Sequence, residues 1–371
     1  MSITFGYLET STQHPAPSNN KNLIKVAIII PRIDQLGPVK VIQTLVNSLS
    51  ENQKLKLTVF YIDKMVDPEV KMMVPTEKLD QRAFNFSEYD IVHTNGIRPD
   101  FFAFINRKKI KYHISTIHNF VFEDLSFTYN RAVSLIFGNL WLILWRRADK
   151  LICVSNSMKT YYQKWYPSSK LEVIYNGIPE FENSTAPDNN LILKINEFKQ
   201  KGFEVIGSIG VLTKRKGIDQ LIKLIAIKKD HAAVIFGKGK EFSNLKQLAE
   251  KLGVSSRCLF CGVRRNAVNY FKYFNCFIMP SRSEGFGLAL IEAVQQKVPV
   301  VCSDIDVFKE LFDSDEVTFF NLDNLASLSD AVKLAVKTGN EKANNAFYKY
   351  LNKYTDKVMG NRYVELYQSA S

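Results

Sequence analysis

What most limits the folds open to this chain is a pattern that occurs twice. From residue 23 onward, short apolar runs rich in Ile, Val and Phe alternate with longer stretches of helical period, as repeated strand–helix units around parallel sheets require. In the first half, strands are expected at 23–31, 55–62, 90–95, 112–118, 150–155 and 171–175. In the second half they are expected at 205–210, 232–236, 258–261, 276–280, 298–303 and 317–321. Between the halves, Pro179 to Asn190 is polar and aperiodic, with the Asn, Ser, Pro and Asp chemistry of a connection. The expected organisation is a flexible leader at 1–22, an N-terminal lobe at 23–180, a linker at 181–200 and a C-terminal lobe at 201–340. A helical tail at 341–371, rich in tyrosine, is expected to pack back across both lobes. The fold class is α/β, with two doubly wound lobes facing a central cleft, and ligands sit at the carboxyl ends of the strands in such sheets.

Composition narrows the classes further. At 371 residues the chain has room for two cores. With 46% hydrophobic and 23% charged residues it is neither disordered, collagen-like nor a long coiled coil. The longest greasy run, 132–145, is broken by Ser134, Gly138 and Asn139 and falls short of the roughly 20 residues a spanning helix needs. The first 22 residues lack the charged start and apolar stretch of a secretory signal, so a cytoplasmic protein is expected. Cys153, Cys258, Cys261, Cys276 and Cys302 fit buried, reduced thiols. The Cys258-x-x-Cys261 pair has no second pair, and no metal site is expected. The net charge of +12 points to an anionic partner, without choosing among nucleic acid, a phosphorylated ligand and an acidic membrane surface.

The densest chemistry lies in Pro280-Ser-Arg-Ser-Glu-Gly-Phe-Gly-Leu-Ala-Leu-Ile-Glu-Ala293, a strand end, a glycine turn and the start of a helix. Gly285 and Gly287 let backbone amides approach a ligand. The helix N-terminus behind them offers unpaired donors and partial positive charge to a phosphate. Glu284 and Glu292 add acceptors for hydroxyls, and a phosphorylated sugar wants that mixture. The plainer alternative makes Ser281-x-x-Glu284 a capping box, but both glycines would then fall inside the helix at about 1 kcal/mol each.

Glu284 and Glu292 resemble the E-x7-E motif, in its EGFGL-type setting, of the retaining glycosyltransferases of family 4. The resemblance runs over nearly the whole chain after the leader. It implies the GT-B architecture, two Rossmann-like lobes with the donor on the C-terminal side and the acceptor on the N-terminal side. It further implies that Glu284 lies against the donor sugar, that Glu292 holds ribose hydroxyls, and that amides near Gly285, Phe286, Gly287 and Leu288 reach the sugar and the distal phosphate.

Other segments match in order. Gly210-Val-Leu-Thr-Lys-Arg-Lys-Gly217 is similar to the family's diphosphate-binding segment, with Lys216 on the matching lysine. Val211 stands where many members carry arginine, so Arg215, Lys214 or a residue elsewhere must supply the second cation. Gly237, in the turn after the 232–236 strand, and Val263, in Phe260-Cys-Gly-Val263, resemble donor-binding turns, the latter reading the base through its backbone. Gly37 resembles the N-lobe phosphate loop, although Pro38 lacks an N–H to offer. His118 matches a histidine near the donor sugar, making Glu284, His118 and Lys216 the expected catalytic set.

By the same resemblance the donor is a nucleotide diphosphate sugar, most commonly with uridine, and no cofactor or metal is required. The acceptor is a saccharide or a polyprenyl-diphosphate-linked saccharide of bacterial surface polysaccharide assembly, such as O-antigen, capsule or lipopolysaccharide. Arg107, Lys108, Lys109 and Lys111, with Trp141, Trp145, Arg146 and Arg147 on the 131–147 helix, could rest peripherally on the anionic inner face of the cytoplasmic membrane. Two readings compete. A GT-B epimerase or phosphorylase keeps the fold and changes the reaction; a basic nucleic-acid-binding protein would need a module that the sequence lacks, so no nucleic-acid partner is expected.

Overall fold

The structure is a computed structural model describing residues 23–34, 37–67, 70–181, 186–264 and 267–371. The expected leader, 1–22, lies outside the described residues. The first half forms β1 (Ile24–Ile30), α1 (Gly37–Ser48), β2 (Leu55–Tyr61), β3 (Thr76–Lys78), β4 (Ile91–Asn95), α2 (Ile97–Ile105), β5 (Tyr112–Ile117), α3 (Val121–Ser126), α4 (Arg131–Trp145), β6 (Lys150–Cys153), α5 (Asn156–Tyr162) and β7 (Leu171–Val173). The second half forms α6 (Asn189–Gln200), β8 (Glu204–Ile209), α7 (Ile218–Ile227), β9 (His231–Phe236), α8 (Phe242–Lys251), β10 (Cys258–Gly262), β11 (Cys276–Met279), α9 (Leu288–Gln295), β12 (Val300–Ser303), α10 (Asp306–Leu311), β13 (Thr318–Phe320), α11 (Leu325–Lys353) and α12 (Asp356–Ser369).

Two parallel sheets result, ordered β3-β2-β1-β4-β5-β6-β7 and β10-β9-β8-β11-β12-β13. The central strand β1 shows why: Val26 to Ile30 are buried in succession, as a strand covered by helices on both faces demands. Each order reverses beside its first strand, β1 between β2 and β4 and β8 between β9 and β11. That reversal opens a crevice at the carboxyl ends. The five cysteines are buried and free.

The structure departs from the sequence reading in three places. The strand β3 pairs with β2 through Val59 and Thr76, yet its three residues carry no apolar run from which to foresee it. The expected linker at 181–200 is largely helix: α6 is capped by the Asp188 side chain and buries Leu191 and Ile195 against the C-terminal lobe. Burying each is worth about 1.5–3 kcal/mol, which draws this segment into the lobe. Gly37, expected in the N-lobe phosphate loop, is instead the first residue of α1, followed by Pro38, where a missing N–H costs nothing.

The chain crosses between lobes twice, and the crossings are bonded to each other. Ile178 N–H donates to the Tyr354 carbonyl at 3.0 Å, and Asp356 N–H donates to Ile178 at 3.0 Å. Beyond this joint α12 returns to the N-lobe, where Tyr363 and Tyr367 are buried with α1 and β4 residues. Buried His93 fixes the docking: its ring bonds the Tyr367 hydroxyl at 2.8 Å and Thr116 Oγ1 at 2.7 Å.

Candidate active site

The E-x7-E segment leaves β11 as a turn, and α9 begins only at Leu288, with Gly287 as its cap residue at φ 97°. Ser281 therefore caps no helix. Its hydroxyl donates instead to Glu284 Oε1 at 2.7 Å. Gly285 is required by the close approach of the lobes, since a Cβ there would overlap the His118 carbonyl. Gly287 needs both its left-handed backbone and the absence of a side chain, which would strike Phe308.

Glu284 is the centre of the site. It is 5% exposed and accepts hydrogen bonds from Lys216 Nζ and, at 3.3 Å, from Arg215 Nη1. Burial alone would raise its pKa, but Lys216 and Arg215 outweigh burial and hold the carboxyl below its ordinary value. The turn Lys214–Lys216 after β8 aims these cations inward, and Lys214 stays exposed. Arg215 is the second cation at Glu284, and its Nη1 also donates to the Ser283 carbonyl at 2.7 Å.

The N-lobe closes on this cluster with groups that the motifs did not reveal. Asp124, in α3 beyond β5, lies 3.7 Å from Arg215 Nε and accepts from Ser283 Oγ at 3.2 Å. Burial raises the Asp124 carboxyl, and Arg215 only partly offsets that rise. Glu310 of α10 receives the Asn156 and Ser157 amides at 2.5 and 2.7 Å and the Ser157 hydroxyl at 2.6 Å. That carboxylate latches the start of α5 across the cleft.

His118 ends β5 beside Gly285, and its Nε2 bonds Asn95 Oδ1 at 3.0 Å. Burial pushes the imidazole down to about 4, so it is neutral at pH 7. Asn95 Nδ2 and Thr213 Oγ1 are buried without a protein partner among the described residues. Such groups are costly to leave unsatisfied, and a bound substrate would supply partners.

The remaining expected residues sort by position. Glu292 faces Lys40 of α1 at 3.8 Å, and Gly37 stands over Leu288. The Phe286 ring is buried against Tyr175 and Tyr354, so only its backbone is available to a ligand. Gly237 packs on the Gly210 carbonyl and spends its N–H on Gly262 at 2.8 Å. Val263 sits exposed beyond β10. These two flank the cluster at neighbouring strand ends and do not touch it. The tryptophans expected at a surface point inward: Trp141 and Trp145 both donate to Asp100 Oδ2 at 2.9 Å.

Two parallel-sheet lobes bring a buried carboxylate, two cations and a helix N-terminus together at one cleft, as the expected GT-B glycosyltransferase requires. Comparison with known proteins agrees. Residues 48–180 match the model of Glycosyltransferase Family 4, and residues 192–353 match that of Glycosyl transferases group 1. An O-antigen biosynthesis glycosyltransferase of Escherichia coli, WclY, is 31% identical over 356 residues, covering 93% of this chain and 98% of the relative. The chain belongs to glycosyltransferase family 4, and the epimerase, phosphorylase and nucleic-acid readings give way to it. The fold is shared with Anabaena HepE, solved with UDP and glucose, at TM-score 0.76, 18% identity and coverage of 93% and 100%. Sucrose-phosphate synthase of Thermosynechococcus elongatus shares it at TM-score 0.76, 17% identity and coverage of 93% and 98%.

Proposed function

We propose that this glycosyltransferase moves a sugar, with retention of configuration, from a uridine diphosphate sugar to a saccharide or lipid-linked saccharide in bacterial surface polysaccharide assembly. The observation that carries this reading is Glu284 held against Lys216 and Arg215 at the closed face of the cleft. The relative's role in O-antigen biosynthesis and the UDP in a fold neighbour support it. The anomeric carbon–oxygen bond to the diphosphate breaks, the acceptor oxygen bonds that carbon on the same face, and the departing phosphate oxygen takes the acceptor proton. Lys216, Arg215 and the α9 N-terminus stabilise the developing phosphate charge as preorganised donors, so no metal is required. Glu292 binds ribose, and neutral His118, oriented by Asn95, offers a hydrogen bond to the donor sugar. Thermal shift with UDP, GDP, ADP and CMP tests this; selective stabilisation by UDP that disappears in Glu292→Ala is the expected result.

The reading includes work at the cytoplasmic membrane face. Among the described residues no helix is long and apolar enough to cross a membrane. The helix α4, however, exposes Leu135, Ile136, Phe137, Leu140 and Ile143, and α2 adds Phe101 and Ile105. Arg131 and Arg146, Arg147, Lys108 and Lys109 are exposed around this face. An apolar face rimmed by cations suits an anionic bilayer. Pelleting with phosphatidylglycerol vesicles, lost in Ile136→Glu/Phe137→Glu, checks it; pelleting equally well in the variant would refute it.

A further inference from the structure

Arg215 and Lys216 are shared between the lobes. From the C-lobe, Glu284 accepts hydrogen bonds from both. From the N-lobe, α3 brings the Asp124 carboxylate to 3.7 Å from Arg215 Nε. These two cations and two carboxylates already balance. A nucleotide diphosphate sugar adds two negative charges on its phosphates, and an excess of negative charge is costly in a cleft with little exposure to water. One carboxylate must give up its charge when the diphosphate takes Arg215.

Geometry singles out Asp124. Glu284 is held by the Ser281 hydroxyl at 2.7 Å, Arg215 Nη1 at 3.3 Å and Lys216 Nζ, so it keeps donors when Arg215 turns away. Asp124 accepts from the Ser283 hydroxyl at 3.2 Å, but that hydroxyl also reaches Glu123 Oε2 at 3.5 Å. Its one hydrogen serves one carboxylate at a time. Burial raises the Asp124 carboxyl, Arg215 opposes the rise and Glu284 adds to it. Other groups around Asp124 do not replace the guanidinium. Lys216 is committed to Glu284, Tyr161 and Tyr162 of α5 are raised by burial and stay neutral, and Lys164 and Asp306 act on Glu123.

We propose that Asp124 and the donor diphosphate compete for Arg215, and that Asp124 gives way by taking a proton from solvent, so that donor and proton bind together. Asp124 is thereby a positioning residue. It orients Arg215 across the cleft and becomes a neutral acid when the phosphate claims that guanidinium. The inference rests on the diphosphate donor proposed above.

Titration calorimetry of the full chain with UDP at about pH 7.5, in HEPES and in Tris, counts the protons, because the two buffers differ in ionisation enthalpy. At that pH a phosphate with a pKa of about 6 is ionised, so a proton taken up goes to the protein. Uptake of about half to one proton is expected, with the UDP Kd rising roughly threefold to tenfold per pH unit above that point. Asp124→Asn, which has the shape of the protonated acid, should lose the uptake, flatten the profile and bind UDP more tightly than the native chain at alkaline pH. Glu123→Gln should keep the uptake. Asp124→Ala gives the same readout if the amide variant fails to fold. Binding of UDP to the native chain without proton uptake would overturn the inference alone, as would undiminished uptake in the Asp124 variants or its loss in Glu123→Gln. If the native chain does not bind UDP, the glycosyl-transfer reading fails first and the inference falls with it.

Discussion

The C-lobe brings Ser281, Glu284, Gly285, Gly287 and Glu292 to the cleft within one stretch of chain, while the N-lobe delivers Gly37, Asn95, His118 and Asp124 from beyond three different strands. The two halves have the same kind of sheet, so the contrast is not one of fold. In the C-lobe a single loop and helix start brings the amides and carboxylates of the E-x7-E segment together because they are neighbours in sequence. In the N-lobe β1 and β4 bring one group each, and the segment after β5 brings two. A change in one N-lobe loop can therefore move its groups alone, while the C-lobe segment moves as a unit.

If that division is right, substitutions on the two sides of the same cations should differ. Glu284→Ala should lower kcat by on the order of 10²–10³-fold, the scale of losing one preorganised electrostatic group, whereas Asp124→Asn should cost less than about tenfold. Equal losses in steady-state assays would break the comparison. Within the C-lobe the two glutamates should separate as well. Glu292→Ala should raise the donor Kd about tenfold, in line with a lost hydrogen bond to a charged group, with turnover of the saturated enzyme little changed; titration calorimetry and saturation kinetics together decide. Across the cleft, Glu310→Ala removes the latch on α5 and should raise KM roughly threefold to tenfold. An unchanged KM would show that the latch does not govern closure.

A smaller difference between lobes should appear on acidification. Burial lowers His93 and His113 to about 3 and His118 to about 4. Between the ordinary value of about 6.5 and these, the unfolded chain binds protons that the folded N-lobe does not. Their stabilisation is full above pH 6.5 and is lost as pH falls toward 3. Asp100 and Asp124 act in the opposite sense, because burial raises both and protonation relieves them. Glu284, held below its ordinary value, contributes fully above the usual carboxylate range and loses that contribution as pH falls through and below it. All three tryptophans, Trp141, Trp145 and Trp165, lie in the N-lobe. Between pH 6.5 and 5, tryptophan emission should therefore report a falling N-lobe Tm before far-UV dichroism reports the C-lobe; coincident shifts would show that the lobes unfold as one.

Read alone, the sequence determined the two parallel sheets, because continuous Ile- and Val-rich runs have no other economical burial, and it placed Glu284, Gly285 and Gly287 together, because contiguous residues on one turn share one place. Lys216 stood out for a different reason, as one of three consecutive cations in the turn after a strand. Tertiary structure alone decided which neighbour of Lys216 joins it at Glu284, since Arg215 is chosen by the direction of a single turn toward Ser283 and Glu284. It also decided that Trp141 and Trp145 turn inward to Asp100 while Ile136 and Phe137 face out, because helix rotation is set by the partner that a buried carboxylate requires. Asp124 and Glu310 stayed invisible for a related reason. A carboxylate has no pattern of its own, and its role here exists only once the opposite lobe closes on it.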